Sequence, residues 1–251
     1  ILSWASSEKL RLMALYITNA YFHGETMDRL MIHKPPRGGI PIEGYNPDRM
    51  YVCRTPIYGS QDSGRLFWKR LRKESIAAGL TASKLSSALF YIAKDGEPKV
   101  MMASHVDDLI YACKPGYEDV MKRIQKIFQV EDKKISTGSF RFCGREISQA
   151  EDFTITATCK DTTEKLEKIK YRTQVKKDSP VNEGEKAQLR SVVGSLAWIA
   201  RQARPDLSYK VSKLQSKCNR ATIKDLVYAN LAIDEAREHS NHGIIYKSDA
   251  I

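Results

Sequence analysis

The chain has 251 residues and a formal net charge of +11, enough length for one large domain or two small ones with a proper core. Its hydrophobic content of 42% excludes wholesale disorder, and no apolar run approaches the ~20 residues that span a bilayer. The basic excess favours polyanions, nucleic acid first and acidic membrane surfaces second, while charge alone leaves a soluble basic protein without such a partner open.

In chain order, Leu10 to Ile17 is short and apolar, and predicts a strand buried on both faces. Asn19 to Asp28 predicts a turn or short helix, Lys34 to Pro47 a Pro- and Gly-rich loop, and Met50 to Arg54 a short strand. Ser63 to Ala78 has helical spacing, with Leu66, Phe67, Leu71 and Ile76 set against Lys69, Arg70, Arg72 and Lys73. Leu89–Ala93 and Val100–Ala103 read as strands around an Asp95-Gly96 turn, and Leu109–Cys113 as a third. Tyr117 to Phe128 is an amphipathic helix, and Phe140–Ile147 with Phe153–Thr158 forms a hairpin around Ala150-Glu151-Asp152. Asp161 to Lys177 is dense in charge and is expected to be a solvated helix and linker. Lys186 to Ala203 carries Leu189, Val192, Val193, Leu196 and Ile199 at helical spacing, and Pro205-Asp206 restarts the helix. Thr222 can cap a last helix running to His239. Trp198 and Tyr209 are expected in the core.

The five cysteines are scattered, with no C-x-x-C pair. That argues against a zinc site and a disulfide framework, and points to packed thiols in a reducing, intracellular compartment. Ile1-Leu2-Ser3-Trp4 has neither an initiator methionine nor the order of a signal peptide, so a piece of a longer polypeptide is expected.

Asp107-Asp108 is the most informative feature. Apolar stretches flank it on both sides, and two adjacent carboxylates in such a frame are costly unless something pairs with them. A hard divalent cation such as Mg²⁺ is the natural partner. A solvated acidic turn is the competing reading. A two-metal phosphoryl-transfer site needs a third carboxylate from another strand, and the stretch around residue 16 is the place to look.

Here the sequence resembles copia-type retrotransposon reverse transcriptases. Ser104-His105-Val106-Asp107-Asp108-Leu109 is similar to the family's Y-V-D-D hairpin, and Tyr16 to Glu25 to its D-x-x-x-A-[FY]-x-x-G strand. Pro56-Ile57-Tyr58-Gly59 through Arg65-Leu66-Phe67-Trp68 resembles A-L-Y-G-L-K-Q-A-P-R-x-W. Phe142-Cys143-Gly144 resembles F-L-G, and Ser191 through Leu207 resembles S-L-I-G-x-L followed by T-R-P-D-L. These motifs come in the family's order from about residue 10 onward.

The resemblance implies an α+β fold: a right-hand polymerase palm with partial fingers over 1–158, a charged linker over 159–185, and a helical thumb and connection over 186–251, ending where an RNase H domain would begin. It implies RNA-directed DNA synthesis with two Mg²⁺ ions, dNTPs and a primer–template. By position Asp107 and Asp108 are metal ligands. Tyr21 is the aromatic gate under the incoming sugar, and Tyr58, Gly59 and Arg65 belong to the nucleotide site. Phe142 and Gly144 lie near the primer, and Arg190, Arg201, Arg204, Lys210, Lys213 and Lys217 face the primer–template.

The departures matter as much. Tyr16 stands where the third catalytic aspartate belongs, and a phenol of pKa near ~10 is neutral at pH 7 and a poor hard-cation ligand. Glu25 and Asp28 follow the strand beyond Gly24, too far along to substitute. Ser60-Gln61-Asp62-Ser63-Gly64 replaces L-K-Q-A-P, and the fingers sequence expected before Leu10 is short. Asp206 is the only acid between Lys186 and Arg220, so this end reads as a phosphate-binding face, with a soluble basic helix pair as the alternative. Three functions follow: a polymerase-derived domain that cannot polymerise, an active polymerase completed by another acid or a partner chain, or a non-catalytic nucleic-acid-binding protein.

Overall fold

The structure, a computed structural model, describes residues 1–34, 38, 43–44, 46 and 48–248. Most of the expected loop from Lys34 to Pro47, and the last three residues, lie outside the described residues. The chain is mixed α and β with antiparallel sheets, and it divides into two compact units. The first holds Leu10–Thr137, and the second holds Leu2–Lys9 with the chain from Gly138 onward.

Helix α1 (Leu2–Ser7) opens the chain and belongs to the second unit. The first unit begins with β1 (Met13–Tyr16), shorter than the expected strand but with Leu12, Ala14, Leu15 and Ile17 all buried. A 3₁₀ turn (Ala20–His23) follows, then a two-stranded ribbon of β2 (Met31–His33) and β3 (Tyr51–Cys53). Helix α2 (Ser63–Ala77) buries Leu66, Phe67 and Leu71. Then come β4 (Thr81–Ala82), β5 (Leu89–Lys94), β6 (Glu97–His105), β7 (Asp108–Cys113), α3 (Glu118–Ile127) and β8 (Ile135–Thr137). These strands form a six-stranded sheet in the order β4-β5-β6-β7-β1-β8. β1 lies between β7 and β8, and Ala14 and Leu15, which point to opposite faces of the sheet, are both buried, in keeping with its unbroken apolar run. Phe67, Leu71, Met121, Ile124 and Phe128 pack against Leu15, Phe90, Met102, Leu109 and Tyr111 to make this unit's core.

The second unit has a sheet in the order β12-β11-β10-β9, from β9 (Ser139–Phe142), β10 (Arg145–Gln149), β11 (Ile155–Thr158) and β12 (Gly243–Tyr246). The hairpin around Ala150-Glu151-Asp152 is present. The expected strand Phe140–Ile147, however, is two strands folded at Cys143-Gly144, whose φ values are 50° and 75°. Two successive positive φ angles are the signature of a type I′ hairpin turn, which glycine favours. A Cβ on Gly144 would also come within 2.9 Å of the Trp198 ring, so the turn and the indole fit only without a side chain there.

Helices α4 (Lys160–Glu164), α5 (Glu183–Gln202), α6 (Ser208–Lys217) and α7 (Ile223–Glu238) complete the unit, with a 3₁₀ turn at Pro205–Leu207 before α6. Asn182 starts α5 through a capping box: its side chain accepts from the Glu185 N–H, and Glu185 accepts from the Asn182 N–H. Thr222 and Asp225 hold the start of α7, the Asp225 carboxylate accepting from both the N–H and the hydroxyl of Thr222. The core joins Leu189, Leu196 and Ile199 of α5 to Leu214 of α6 and to Leu226 and Ile233 of α7.

Three expectations change here. The division falls at 137/138 rather than at 158, because β9 and β10 pair with β11 and so belong to the second sheet. Nor is 159–185 a solvated linker: Thr163, Leu166 and Ile169 are buried in the second core. The few apolar residues of that charged stretch are its anchors. Tyr209 is also not a core residue. It is 74% exposed, because α6 turns Val211 and Leu214 inward and leaves position 209 on the opposite side.

Candidate active site

Strands β6 and β7 are joined by Val106 and Asp107 alone, with His105 paired to Asp108 across the turn. Val106 has φ 56°. Positive φ at the first of two turn residues is the type II′ arrangement, where glycine is usual. A β-branched residue there stores strain of about 1–3 kcal/mol, which persists only where the flanking structure enforces it. Both flanking strands are paired along their length and do so.

β1 lies along the other side of β7. Tyr16 pairs with Asp108, and the Ile17 N–H donates to the Asp107 carbonyl at 2.8 Å. The register therefore brings position 16 to the carboxylate pair. The side chain found there is a phenol, close enough to Asp107 for the two to interact electrostatically. Burial first, and then the Asp107 charge, raise the Tyr16 pKa above its ordinary value, so the phenol stays protonated at neutral pH. The Lys134 ammonium sits 5.1 Å from the centre of the Tyr16 ring, a cation–π contact that no local sequence signal announces. Asp108 is half-buried. Burial first, and its neighbour Asp107 second, push its pKa up, while His105 pulls it down.

Among the described residues no three His, Cys, Asp or Glu side chains converge as a metal-binding group. Two carboxylates and a protonated phenol do not make the set that two bridged Mg²⁺ ions need. Glu25 and Asp28 do not join the pair.

Around this site the aromatic residues gather. The Tyr21 and Tyr58 rings lie 4.7 Å apart, and Phe22 meets Tyr58 edge-on at 5.8 Å. Burial, followed by the Asp107 charge and Tyr21, raises the Tyr58 pKa. Gly24 ends the 3₁₀ turn where a Cβ would come within 2.6 Å of the Pro56 ring, so the strand can pass close to the Tyr58 loop only as glycine. Gly59 and Arg65 are exposed beside it, Arg65 in the first turn of α2. The acid gained in the replaced L-K-Q-A-P segment has a partner that the sequence did not suggest. Arg29 grips Asp62 through Nε at 2.8 Å and Nη2 at 3.0 Å, and Ser60 adds a bond at 2.6 Å. The Arg29 and Ser60 bonds hold the Asp62 pKa well below the usual carboxylate range.

The remaining expected positions lie in the second unit. Phe142 is buried in packing, and Gly144 is the turn under Trp198. The six basic residues divide. Arg190, Arg201 and Lys213 are exposed, with Arg190 donating to Asn219 at 3.0 Å and Lys213 over the Tyr228 ring at 4.6 Å. Lys210 pairs with Glu235, and Lys217 with Asp225 at 3.1 Å. Arg204 is 1% exposed and cannot face a phosphate. Its guanidinium is held by Asp206 at 2.8 Å, and it donates to the carbonyls of Ala236 and His239 at 3.2 and 2.8 Å. It closes the end of α7 from inside the core, satisfying carbonyls that a helix end leaves open.

No family model matches the chain. It is 25% identical, over 252 aligned positions, to a retrovirus-related Pol polyprotein from transposon RE1 of Arabidopsis thaliana, an alignment covering 93% of this chain and 16% of that protein. It is likewise 25% identical over 209 positions to a protein of Saccharomyces cerevisiae described as a transposon Ty5-1 protein, covering 77% of this chain and 66% of that one. The chain is of retroelement polyprotein origin. It spans about a sixth of the length of the plant polyprotein it matches. No helix among the described residues of this retroelement-derived chain is long and apolar enough to cross a membrane.

Proposed function

We propose that this chain is the reverse transcriptase portion of a retrotransposon polyprotein, with the first unit as palm and partial fingers and helices α5–α7 as thumb and connection. It keeps affinity for nucleic acid and does not transfer nucleotides. The observation that carries the reading is Tyr16: it pairs with Asp108 across the strands, lies within the influence of Asp107, and on this reading stands where the third carboxylate belongs. In-line transfer rests on metal positioning and charge neutralisation, so losing a bridging carboxylate removes most of the rate. The central hairpin with a strained turn, the aromatic cluster of Tyr21 and Tyr58, and the retroelement relatives support the polymerase assignment. The exposed cations Arg190, Arg201 and Lys213 support nucleic-acid binding. An active polymerase completed by another acid is the weaker reading, since no further acid reaches the pair among the described residues.

The test is primer extension on an RNA template with Mg²⁺ and dNTPs, with the chain run beside Tyr16→Asp. No extension by the chain and extension by the variant is the expected result. Extension by the unaltered chain overturns the inert reading.

A further inference from the structure

The segment after α4 is fixed by its peptide groups. Asn230 of α7 accepts from the Ile169 N–H at 2.8 Å and donates to the Ile169 carbonyl at 3.0 Å. Gln188 of α5 treats Lys170 the same way, at 3.0 and 3.4 Å. Glu185 accepts from the Arg172 N–H at 2.9 Å and from its guanidinium at 2.9 and 3.0 Å. Leu166 and Ile169 enter the core, with Tyr171 and Val175 packed against it. The stretch from Leu166 to Arg172 is thereby laid as a strap on two helices in a fixed register, before the chain bends at 173–175 and turns at 177–178.

What the strap turns outward is charge. Between Lys165 and Lys177 it carries Lys165, Lys168, Lys170, Arg172, Lys176 and Lys177 against one acid, Glu167. Lys168 pairs with Asp234 at 2.8 Å and Arg172 with Glu185. Lys165, Lys170, Lys176 and Lys177 are exposed and make no ion pair among the described residues. Arg237 joins Lys165, Lys168 and Lys170 in the wall of an open groove, which Glu164 and Glu167 share. In the helical end, by contrast, three of the six expected phosphate contacts are consumed by carboxylates.

We propose that this segment is a nucleic-acid backbone-binding rail, with Lys165, Lys170, Lys176 and Lys177 as phosphate contacts, Asn230 and Gln188 as positioning residues for the strap around Lys170, and the Lys224 N–H holding the Lys177 carbonyl. The inference rests on the nucleic-acid reading given above and moves much of the contact from the helices to the strap. Ammonium groups on a backbone fixed by side-chain amides suit a repeating polyanion: the anchoring cost is met within the fold, and contact with phosphates releases counterions.

The experiment is fluorescence anisotropy of a labelled oligo-dT strand with the full chain across a salt titration. The variants are Lys165→Gln/Lys170→Gln/Lys176→Gln/Lys177→Gln, Arg190→Gln/Arg201→Gln/Lys213→Gln, and Asn230→Leu with every lysine kept. Thermal melts confirm that the lysine variant is folded. The quadruple variant is expected to bind at least roughly tenfold more weakly, with the log–log salt slope shallower by about 3, as loss of four single-strand phosphate contacts requires. Asn230→Leu should move affinity the same way by a smaller factor. Wild-type affinity and slope in the folded quadruple variant, with loss confined to the helical variant, overturn the rail and leave nucleic-acid binding standing. No binding by the unaltered chain at low salt overturns both.

Discussion

The carboxylate hairpin of the first unit and the basic helices of the second were both marked by charge in the sequence, yet they behave differently on folding. At the hairpin, Asp107 and Asp108 are neighbours in sequence, in a turn of two residues between paired strands, so position along the chain is position in space. At the helical end, Asp206 is the only acid from Lys186 to Arg220, but folding brings Glu235 and Asp225 of α7 to Lys210 and Lys217. A charge read locally survives where its surroundings are local. Where elements distant in sequence pack together, the surface charge is what remains after pairing.

Replacing Arg204 sharpens that contrast most. Arg204→Met is expected to cost about 3 kcal/mol of stability in urea unfolding, since two helix-end carbonyls lose their donor inside the core. A phosphate-binding arginine would instead lose affinity and leave stability unchanged.

Glu185→Gln comes next, at about 2 kcal/mol, because it breaks the Arg172 grip on a buried carboxylate. Its pH dependence has a definite sign. The Arg172 guanidinium holds the Glu185 pKa at about 2, against an ordinary 4.5. The stabilisation is therefore whole above the ordinary value and is lost as pH falls toward about 2. The gap between the unaltered chain and Glu185→Gln should narrow as pH falls from about 5 to about 2; a gap that widens on acidification contradicts the assignment.

Tyr16→Phe has the smallest effect, about 0.5 kcal/mol or less, as it removes only a hydroxyl beside Asp107 and keeps the ring under Lys134. It should leave primer extension absent. Recovery of extension by Tyr16→Phe would show that the hydroxyl, rather than the missing carboxylate, blocks the site.

Most of the fold was legible because its elements carry their own signals. Helix α2, the β5–β6–β7 strands and the capped helix α7 lie close to where apolar period, turn residues and capping residues put them. The pairing of Tyr16 with Asp108 has no local signal, since nothing in either segment's own sequence brings β1 beside β7. What stayed hidden depends on partners remote in sequence. The strap reads as a charged linker because its anchors, Leu166 and Ile169, are few and its hydrogen-bond partners lie on α5 and α7. Lys134 over Tyr16 and Arg29 on Asp62 are likewise contacts between separate elements. Arg204 was misread because a cation in a basic run looks solvated until the helix end it closes is known.

The amide grips of Asn230 and Gln188 on the strap have one more consequence. They recognise peptide groups, which every residue except proline supplies alike, so the strap's outward positions are free to vary in sequence without losing their place. Proline at 169 or 170 is the exception. It would delete the N–H that each grip receives and unfasten the segment there. In related sequences the pair should thus tolerate broad drift along the strap, with proline excluded from those two positions and the amides on the helices retained.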